Sequence, residues 1–365
     1  MKAVVKYVDF QTYKRVIVIS DIHADVEGFR GVLEKVGFDK EDALVIVGDI
    51  LEKGKDSLQM LHLIMKMYQQ GNLYLVAGNN DTLLWELYQD PVPDEAVCRY
   101  MNSRKNSLLK DMADSLQLPY GTADEVAVLK TVIENEFAEE IAFLESMPHI
   151  LDCPFATFVH AGLKPGRLEE QEMEYCLAVT EFAAREDQFE KPVIVGHWPS
   201  SNYSTDRIQA NIYRNPKTNV ISLDGGNSMK SWRQINYLIL DGVGNALEEG
   251  YFDNLPKIKV LEDQAENEGY YSLIFPNTAV EIRGVREGKT ICYVPWLDKE
   301  ILLDSNRIYE YKGKTYCWDM TTYDMPVKAG EILSSCGMTP EGLLIKRGGV
   351  VGNYHGEYEA LDVHR

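Results

Sequence analysis

Three times in the first eighty residues a short apolar, β-branched run stops at a polar turn. The runs are 16–20, 43–47 and 73–77, and the turns are Asp21-Ile22-His23, Gly48-Asp49 and Gly78-Asn79. Between them, Val26, Phe29, Val32, Leu33 and Val36 recur at helical spacing, and 58–68 has the same rhythm. Strand, polar turn and amphipathic helix in alternation predict an α/β domain with a parallel sheet core. Open sheets of this kind hold their ligands outside the carboxyl ends of the strands, where these turns fall.

Further strand-like runs follow at 155–159, 193–195, 220–223 and 235–240, and two of them again end in polar turns, His160-Ala161-Gly162 and Gly196-His197. The stretch 82–147 reads as a helical insertion, broken by turn-rich segments around Pro91 and Pro119. Past Tyr251 the rhythm changes to short β-rich runs with frequent Gly and Pro, after an acidic stretch, 255–267, that shows no clear period. The expected organisation is a domain over 1–254, a boundary near 255–268 and a β-rich module over 268–365, built as a small barrel or sandwich.

Composition narrows the partners. Thirty-seven basic against 57 acidic residues give a net charge of −20, which repels a nucleic-acid backbone or an anionic membrane. A small phosphorylated substrate remains compatible, because a bound metal reverses the field inside a cleft. The six cysteines lack C-x-x-C spacing and read as free thiols. With no leader-like start and no long apolar run, a cytoplasmic protein is expected.

Taken together, the polar turns offer Asp21, His23, Asp49, Asn79, His160 and His197. Two carboxylates, three imidazoles and a carboxamide suit manganese, iron, zinc or cobalt. A central carboxylate such as Asp49 can bridge two cations, and a cation pair can acidify a water while clamping phosphoryl oxygens, so the inferred chemistry is metal-assisted phosphoryl hydrolysis. Other residues carry two readings each. Asp81 is an acid or the cap of the next helix; Asp25 orients His23 or caps a helix; Lys53 meets a phosphate or water. Asp224-Gly225-Gly226 is part of the site or a turn. His62, His149, His355 and His364 have no ligand pattern.

The motifs Asp21-Ile22-His23, Gly48-Asp49-Ile50-Leu51-Glu52-Lys53-Gly54, Gly78-Asn79-Asn80-Asp81, Phe158-Val159-His160-Ala161-Gly162-Leu163 and Val195-Gly196-His197-Trp198-Pro199 resemble those of the calcineurin-like metallophosphoesterases. The likeness runs from about Arg15 to Asn227 and is nearest the branch of bacterial serine/threonine protein phosphatases and diadenosine tetraphosphatases. It implies a four-layer fold, two mixed β-sheets flanked by helices. It further implies two divalent cations, one on Asp21, His23 and Asp49, the other on Asp49, Asn79, His160 and His197. Pro199, where many phosphodiesterases have a second His, favours the phosphatase-like branch.

The sequence also departs from that pattern. Asn80 stands where the branch places a general-acid His, and Glu52-Lys53-Gly54 replaces Asp-Arg-Gly, exchanging a forked guanidinium for a compact ammonium. A second phosphate-binding Arg aligns with Val179. The expectation is a phosphoesterase working through a metal-bound hydroxide, with Asn80 and Asp81 at the catalytic positions and Lys53 on the substrate. The alternatives are a phosphodiesterase, a dinucleoside polyphosphate hydrolase, or a catalytically weak metal-binding scaffold whose β module recruits a protein partner or a second copy.

Overall fold

The computed structural model describes residues 1–88 and 92–361; Pro91 and His364 lie outside them. Two compact units emerge, Met1–Ser200 with Asn211–Asn254, and Ser201–Ala210 with Leu255–Arg365.

In chain order the strands reaching through the first unit are β1 (Val5–Tyr7), β2 (Val16–Ile19), β3 (Ala43–Val47), β4 (Leu73–Val76), β5 (Ile150–Asp152), β6 (Thr157–Val159), β7 (Val193–Val195), β8 (Ile208–Gln209, in the second unit), β9 (Tyr213–Asn215), β10 (Val220–Ser222), β11 (Ile235–Leu240) and β12 (Ala246–Phe252). They build two mixed sheets, ordered β1-β5-β6-β7-β10-β9 and β12-β11-β2-β3-β4. Within them β2, β3 and β4 are mutually parallel, as are β6, β7 and β10.

The period of two along β2 and β3 explains how the sheets stack. Val16, Val18, Ala43, Val45 and Val47 share a core with Leu151, Phe158 and Ile194 of the other sheet. Their neighbours Ile17, Ile19, Leu44 and Ile46 face the opposite way, into a core with the helices α1 (Val26–Val36) and α2 (Ser57–Tyr68). Each strand is buried on both faces, hence the unbroken apolar runs. Helix α1 begins at Asp25, whose side chain accepts from Gly28 N at 2.9 Å, and ends at Gly37 in the left-handed conformation; a cap of the first kind contributes about 1 kcal/mol.

Among the described residues the insertion holds five helices: α3 (Leu83–Tyr88), α4 (Asp94–Ser103), α5 (Leu108–Ser115), α6 (Ala123–Glu136) and α7 (Ala138–Glu145). Buried Val97, Met101, Met112, Val126 and Ile133 extend the helix-side core.

The second unit is antiparallel. Its largest sheet runs Tyr358–Leu361, Lys257–Val260, Ile332–Thr339, Gly342–Arg347, Val350–Tyr354 and β8. The order is open at both ends, so this sheet does not close on itself as a barrel. The stretch without a period contributes Lys257–Val260, paired on both sides. A three-stranded sheet (Glu281–Arg286, Lys289–Val294, Lys299–Leu303) and the hairpin Ile308–Tyr311/Lys314–Cys317 surround a separate small core. Cys98, Cys153, Cys176, Cys292 and Cys317 are free thiols, all but Cys98 buried. Among the described residues no helix is long and apolar enough to cross a membrane.

Candidate metal centre

The turns after β2, β3, β4, β6 and β7 converge because those strands run in the same sense within their sheets. Backbone bonds lace them together: Asp21 N donates to Gly48 O, His23 N to Asp49 O and Gly196 N to His160 O, at 2.8–3.0 Å. Positive φ occurs at Asp21, His23, Ala24, Asp49, Glu52, Lys53 and His197, half of the fourteen such non-glycine residues described. Left-handed backbone at residues with a Cβ costs of order 1–3 kcal/mol each and persists where surrounding structure over-determines it, as at functional sites. Gly78 shows how close the turns approach, since a methyl there would drive into the Asp49 backbone nitrogen and carboxylate.

The side chains form two groups sharing Asp49: Asp21, His23 and Asp49, and Asp49, His160 and His197, with the ligand atoms of each group within 4.8 Å of one another. His23 Nε2 lies 4.0 Å from Asp21 Oδ1 and 3.7 Å from Asp49 Oδ2. On the other side His160 Nε2 is 3.3 Å from Asp49 Oδ1 and 3.2 Å from Asn79 Oδ1, and His197 Nδ1 is 2.9 Å from Asn79 Oδ1. All six residues from the polar turns are thus brought together, Asn79 joining the second group.

The donor set fits divalent cations. His160 Nδ1 is 3.0 Å from the Val47 carbonyl, which fixes the ring proton there and leaves Nε2 a lone pair. That lone pair points at two oxygens that are themselves acceptors, an arrangement repulsive unless a cation lies among them. Burial pushes the His23 imidazole down to about 3, with Lys53 adding to the effect, and burial together with His160 takes His197 down to about 4, so both rings present neutral nitrogens. Burial raises the Asp21 carboxyl well above its ordinary value, with Asp224 and Asp49 adding repulsion. For Asp49 burial opposes ionisation, yet His160, His23 and Lys53 outweigh it and hold the carboxyl below its usual range.

Asn80, expected from the sequence at a general-acid position, donates its backbone N to Asp49 Oδ1 at 2.9 Å and its Nδ2 to Asp49 Oδ2 at 2.6 Å. It orients the shared carboxylate so that each oxygen faces a different histidine. Asp81 is not the cap of α3. Its Oδ1 accepts from Ile50 N and Leu51 N at 2.9 and 3.1 Å, and its Oδ2 accepts from Gly78 N at 2.9 Å, so it staples the Asp49 turn to the Asn79 turn. Burial and the Asp49 charge raise it to about 7. Asp25 caps α1 rather than orienting His23, whose Nδ1 instead faces the Leu51 carbonyl at 3.3 Å.

Lys53 reaches the site, its Nζ 3.2 Å from His23 Nε2. Val179 is buried and brings no charge. His62 pairs with Glu140, His149 accepts from Val4 N, and His355 pairs with Asp324.

Two features escape a sequence reading, and a third, Asp224, stood there between the site and a turn. Ser20 Oγ donates to Asp21 Oδ2 at 2.5 Å. Glu52, fully inside, accepts from Tyr100 Oη at 2.7 Å and Leu108 N at 2.9 Å, tying the Lys53 turn to the insertion. Asp224 is buried behind Asp21 and raised to about 6 by burial. A Ser before the Asp-x-His and an acid before two glycines were the available signals for the first and third; nothing local marks Tyr100.

Residues 14–149 match the family model described as calcineurin-like phosphoesterase. The chain is 38% identical over 71 residues to a symmetrical bis(5'-nucleosyl)-tetraphosphatase of Wigglesworthia glossinidia brevipalpis, which covers 19% of this chain and 25% of that protein. It is 27% identical over 162 residues to the asymmetrical bis(5'-nucleosyl)-tetraphosphatase PrpE of Halalkalibacterium halodurans, covering 40% of this chain and 56% of the relative. The chain thus spans between a quarter and about half the length of these relatives. A solved metallophosphoesterase from Sphaerobacter thermophilus aligns with 66% of this chain and 89% of its own at 16% identity and a TM-score of 0.40. The motifs gathered at one rim of two mixed sheets thus lie in a chain whose residues 14–149 are similar to the calcineurin-like phosphoesterases.

Proposed function

We propose that the first unit hydrolyses phosphate anhydrides or esters of good leaving groups, with dinucleoside polyphosphates and aryl phosphates ahead of phosphoserine. The catalytic domain in this reading is 1–254 and the β-rich module from 268 onward is accessory. Asp21, His23 and Asp49 would hold one divalent cation, and Asp49, Asn79, His160 and His197 the other, manganese fitting the mixed oxygen and nitrogen donors. Bound there, the cations would supply Lewis acidity for water and for the phosphoryl oxygens.

The chain's own residues set the geometry and the selectivity. Asp49 divides its oxygens between the groups because Asn80 holds both of them. Asp81 keeps the two turns in register, and Lys53 offers one positive charge to a phosphate. The observation that carries the substrate preference is Asn80 itself: a carboxamide committed to Asp49 delivers no proton to a departing oxygen. A missing general acid costs about 10²- to 10⁴-fold where the leaving group needs protonation. Serine alkoxide needs it most; phenolate, with a pKa of about 10, and phosphoanhydrides need it less. The tetraphosphatase relatives support the anhydride arm.

Purified protein with manganese, assayed against an aryl monoester, an aryl diester, a phosphoserine peptide and a dinucleoside polyphosphate, tests the reading. The peptide should be the poorest substrate, and turnover of it equal to the aryl ester would refute the preference. The altered Lys53 and Asn80 favour one second reading, a metal-binding scaffold of weak activity. Asp49→Asn separates the two, abolishing hydrolysis by an enzyme while leaving a scaffold's partner binding intact. Five free thiols, four of them buried, support a reducing compartment such as the cytoplasm.

A further inference from the structure

The two halves of the centre are unequally supplied with protons, and the difference lies in Lys53. Around Asp21, His23 and Asp49 Oδ2 every facing acceptor has a donor. Ser20 Oγ and His197 N donate to Asp21, Asn80 Nδ2 donates to Asp49 Oδ2, and Lys53 Nζ sits 3.2 Å from His23 Nε2. With His23 Nδ1 turned to the Leu51 carbonyl, Nε2 is the acceptor of that last bond. Around His160 the described residues place no cationic side chain on Nε2: it faces Asp49 Oδ1, which also accepts from Asn80 N, and Asn79 Oδ1, which lies 2.9 Å from His197 Nδ1.

The fold keeps Lys53 in place. Glu52 and Lys53 are consecutive left-handed residues, at φ 67° and 64°. The Glu52 carboxylate is fixed by Tyr100 and Leu108, and the Lys53 carbonyl accepts from Asn106 Nδ2 at 3.2 Å. On the far side Gly54 packs on the His23 carbonyl with no room for a Cβ. The Lys53 backbone is therefore held between the insertion and the His23 turn, and its half-buried side chain extends to the imidazole.

We propose that Lys53 is a resident counter-cation of the Asp21–His23–Asp49 group, so that the two divalent ions load unequally, the His160 group first and tightly, the His23 group second and weakly. This rests on the metal-dependent reading above. A cation can take the His23 lone pair only after the ammonium has released it, and the displaced positive charge remains close by, where it opposes the incoming ion. Among the described residues the His160 group has no such ammonium at its imidazole, and an ion there meets the free His160 Nε2 lone pair directly.

The test is manganese binding to metal-stripped full-length protein, followed by calorimetry and by the electron paramagnetic resonance signal of free Mn²⁺, with no substrate present. Wild type should show a tight and a weak phase. Lys53→Met keeps the length of the side chain and removes its charge; it should tighten the weak phase at least about tenfold and change the tight phase less than about threefold. Lys53→Arg retains the charge and should retain the weak phase, which separates charge from any general loosening of the turn. Equal affinities for both ions in wild type, or Lys53→Met binding like wild type, overturns the inference and leaves the metal-dependent reading standing. Absence of bound manganese in all three proteins overturns both.

Discussion

Replacing Arg15 by Met tests whether the β2–β3 framework under the centre depends on one partly buried ion pair. Arg15 Nε and Nη2 donate to the two oxygens of Asp42 at 2.9 and 2.6 Å, while Nη1 and Nη2 reach the carbonyls of Val36 and Gly37 at the end of α1, each at 2.9 Å. One guanidinium thus closes α1 and anchors the turn that starts β3, the strand leading to Asp49. The Asp42 side chain is fully buried and that of Arg15 is 23% exposed. Without Arg15, Asp42 keeps only the Asp39 backbone donor at 3.1 Å. Breaking a buried pair costs about 3–5 kcal/mol, and solvent access at the Arg15 end lowers this to about 2–4. For a domain of this size that is a Tm lower by roughly 4–16 °C. Asp42→Ala and the double variant complete a cycle, in which non-additivity of about 1–3 kcal/mol is expected. The pH dependence supplies a second check. Burial opposes charging of Asp42, but the Arg15 hydrogen bonds outweigh it and hold the carboxyl below its usual value. A depressed carboxyl contributes its stability above the unfolded value, near 4, and loses it as pH falls through the folded value. The gap between wild type and Arg15→Met should therefore narrow below about pH 4. Denaturant unfolding on metal-free protein measures all of this; additive single effects, or a gap unchanged at pH 3, would refute the reasoning.

The metal-free centre should respond to pH in the opposite sense. Burial and Asp49 raise Asp81 to about 7, and burial raises Asp224 to about 6. Carboxyls raised on folding are most compatible with the fold below their unfolded value near 4, so thermal stability in EDTA should fall as pH climbs from about 4 to 7, and excess Mn²⁺ should offset the fall; a flat profile in EDTA would contradict it. Phe158 is fully buried between the sheets and meets Phe10 edge-on at 6.2 Å, so Phe158→Ala should cost about 3–5 kcal/mol in chemical denaturation; a loss below about 1 kcal/mol would mean that the inter-sheet core is not packed as described.

The elements that carry the centre were legible because their signals are local. Helix α1 shows its Asp25 cap, its apolar spacing and its Gly37 stop in eleven residues and their flanks. Strands β2, β3 and β4 show as unbroken apolar runs because both faces are covered. What stayed hidden depends on pairing at a distance. β8 has two residues, too few to display a period, and pairs with Val350–Val351 of the second unit. Lys257–Val260 reads as acidic linker until partners at Ile332 and beyond cover it on one side and Tyr358–Leu361 on the other.

The same distinction separates the candidate metal ligands from the residues that hold them. Asp21, His23, Asp49, Asn79, His160 and His197 follow strands of recognisable pattern, so a rule about strand ends brings them together without any knowledge of contacts. Asn80, Asp81, Glu52 and Lys53 lie in the same motifs but act across the fold, through bonds to residues about 30 to 56 positions away. A missing His at position 80 or a missing Arg at position 53 therefore reads in sequence only as a loss. In the folded chain each replacement has a partner: Asn80 holds both oxygens of Asp49, and Lys53 supplies a donor to His23. Replacements that are merely tolerated would leave buried polar atoms without partners, at about 1–3 kcal/mol each. Those partners make the departures one coherent rearrangement around the shared carboxylate and the His23 imidazole.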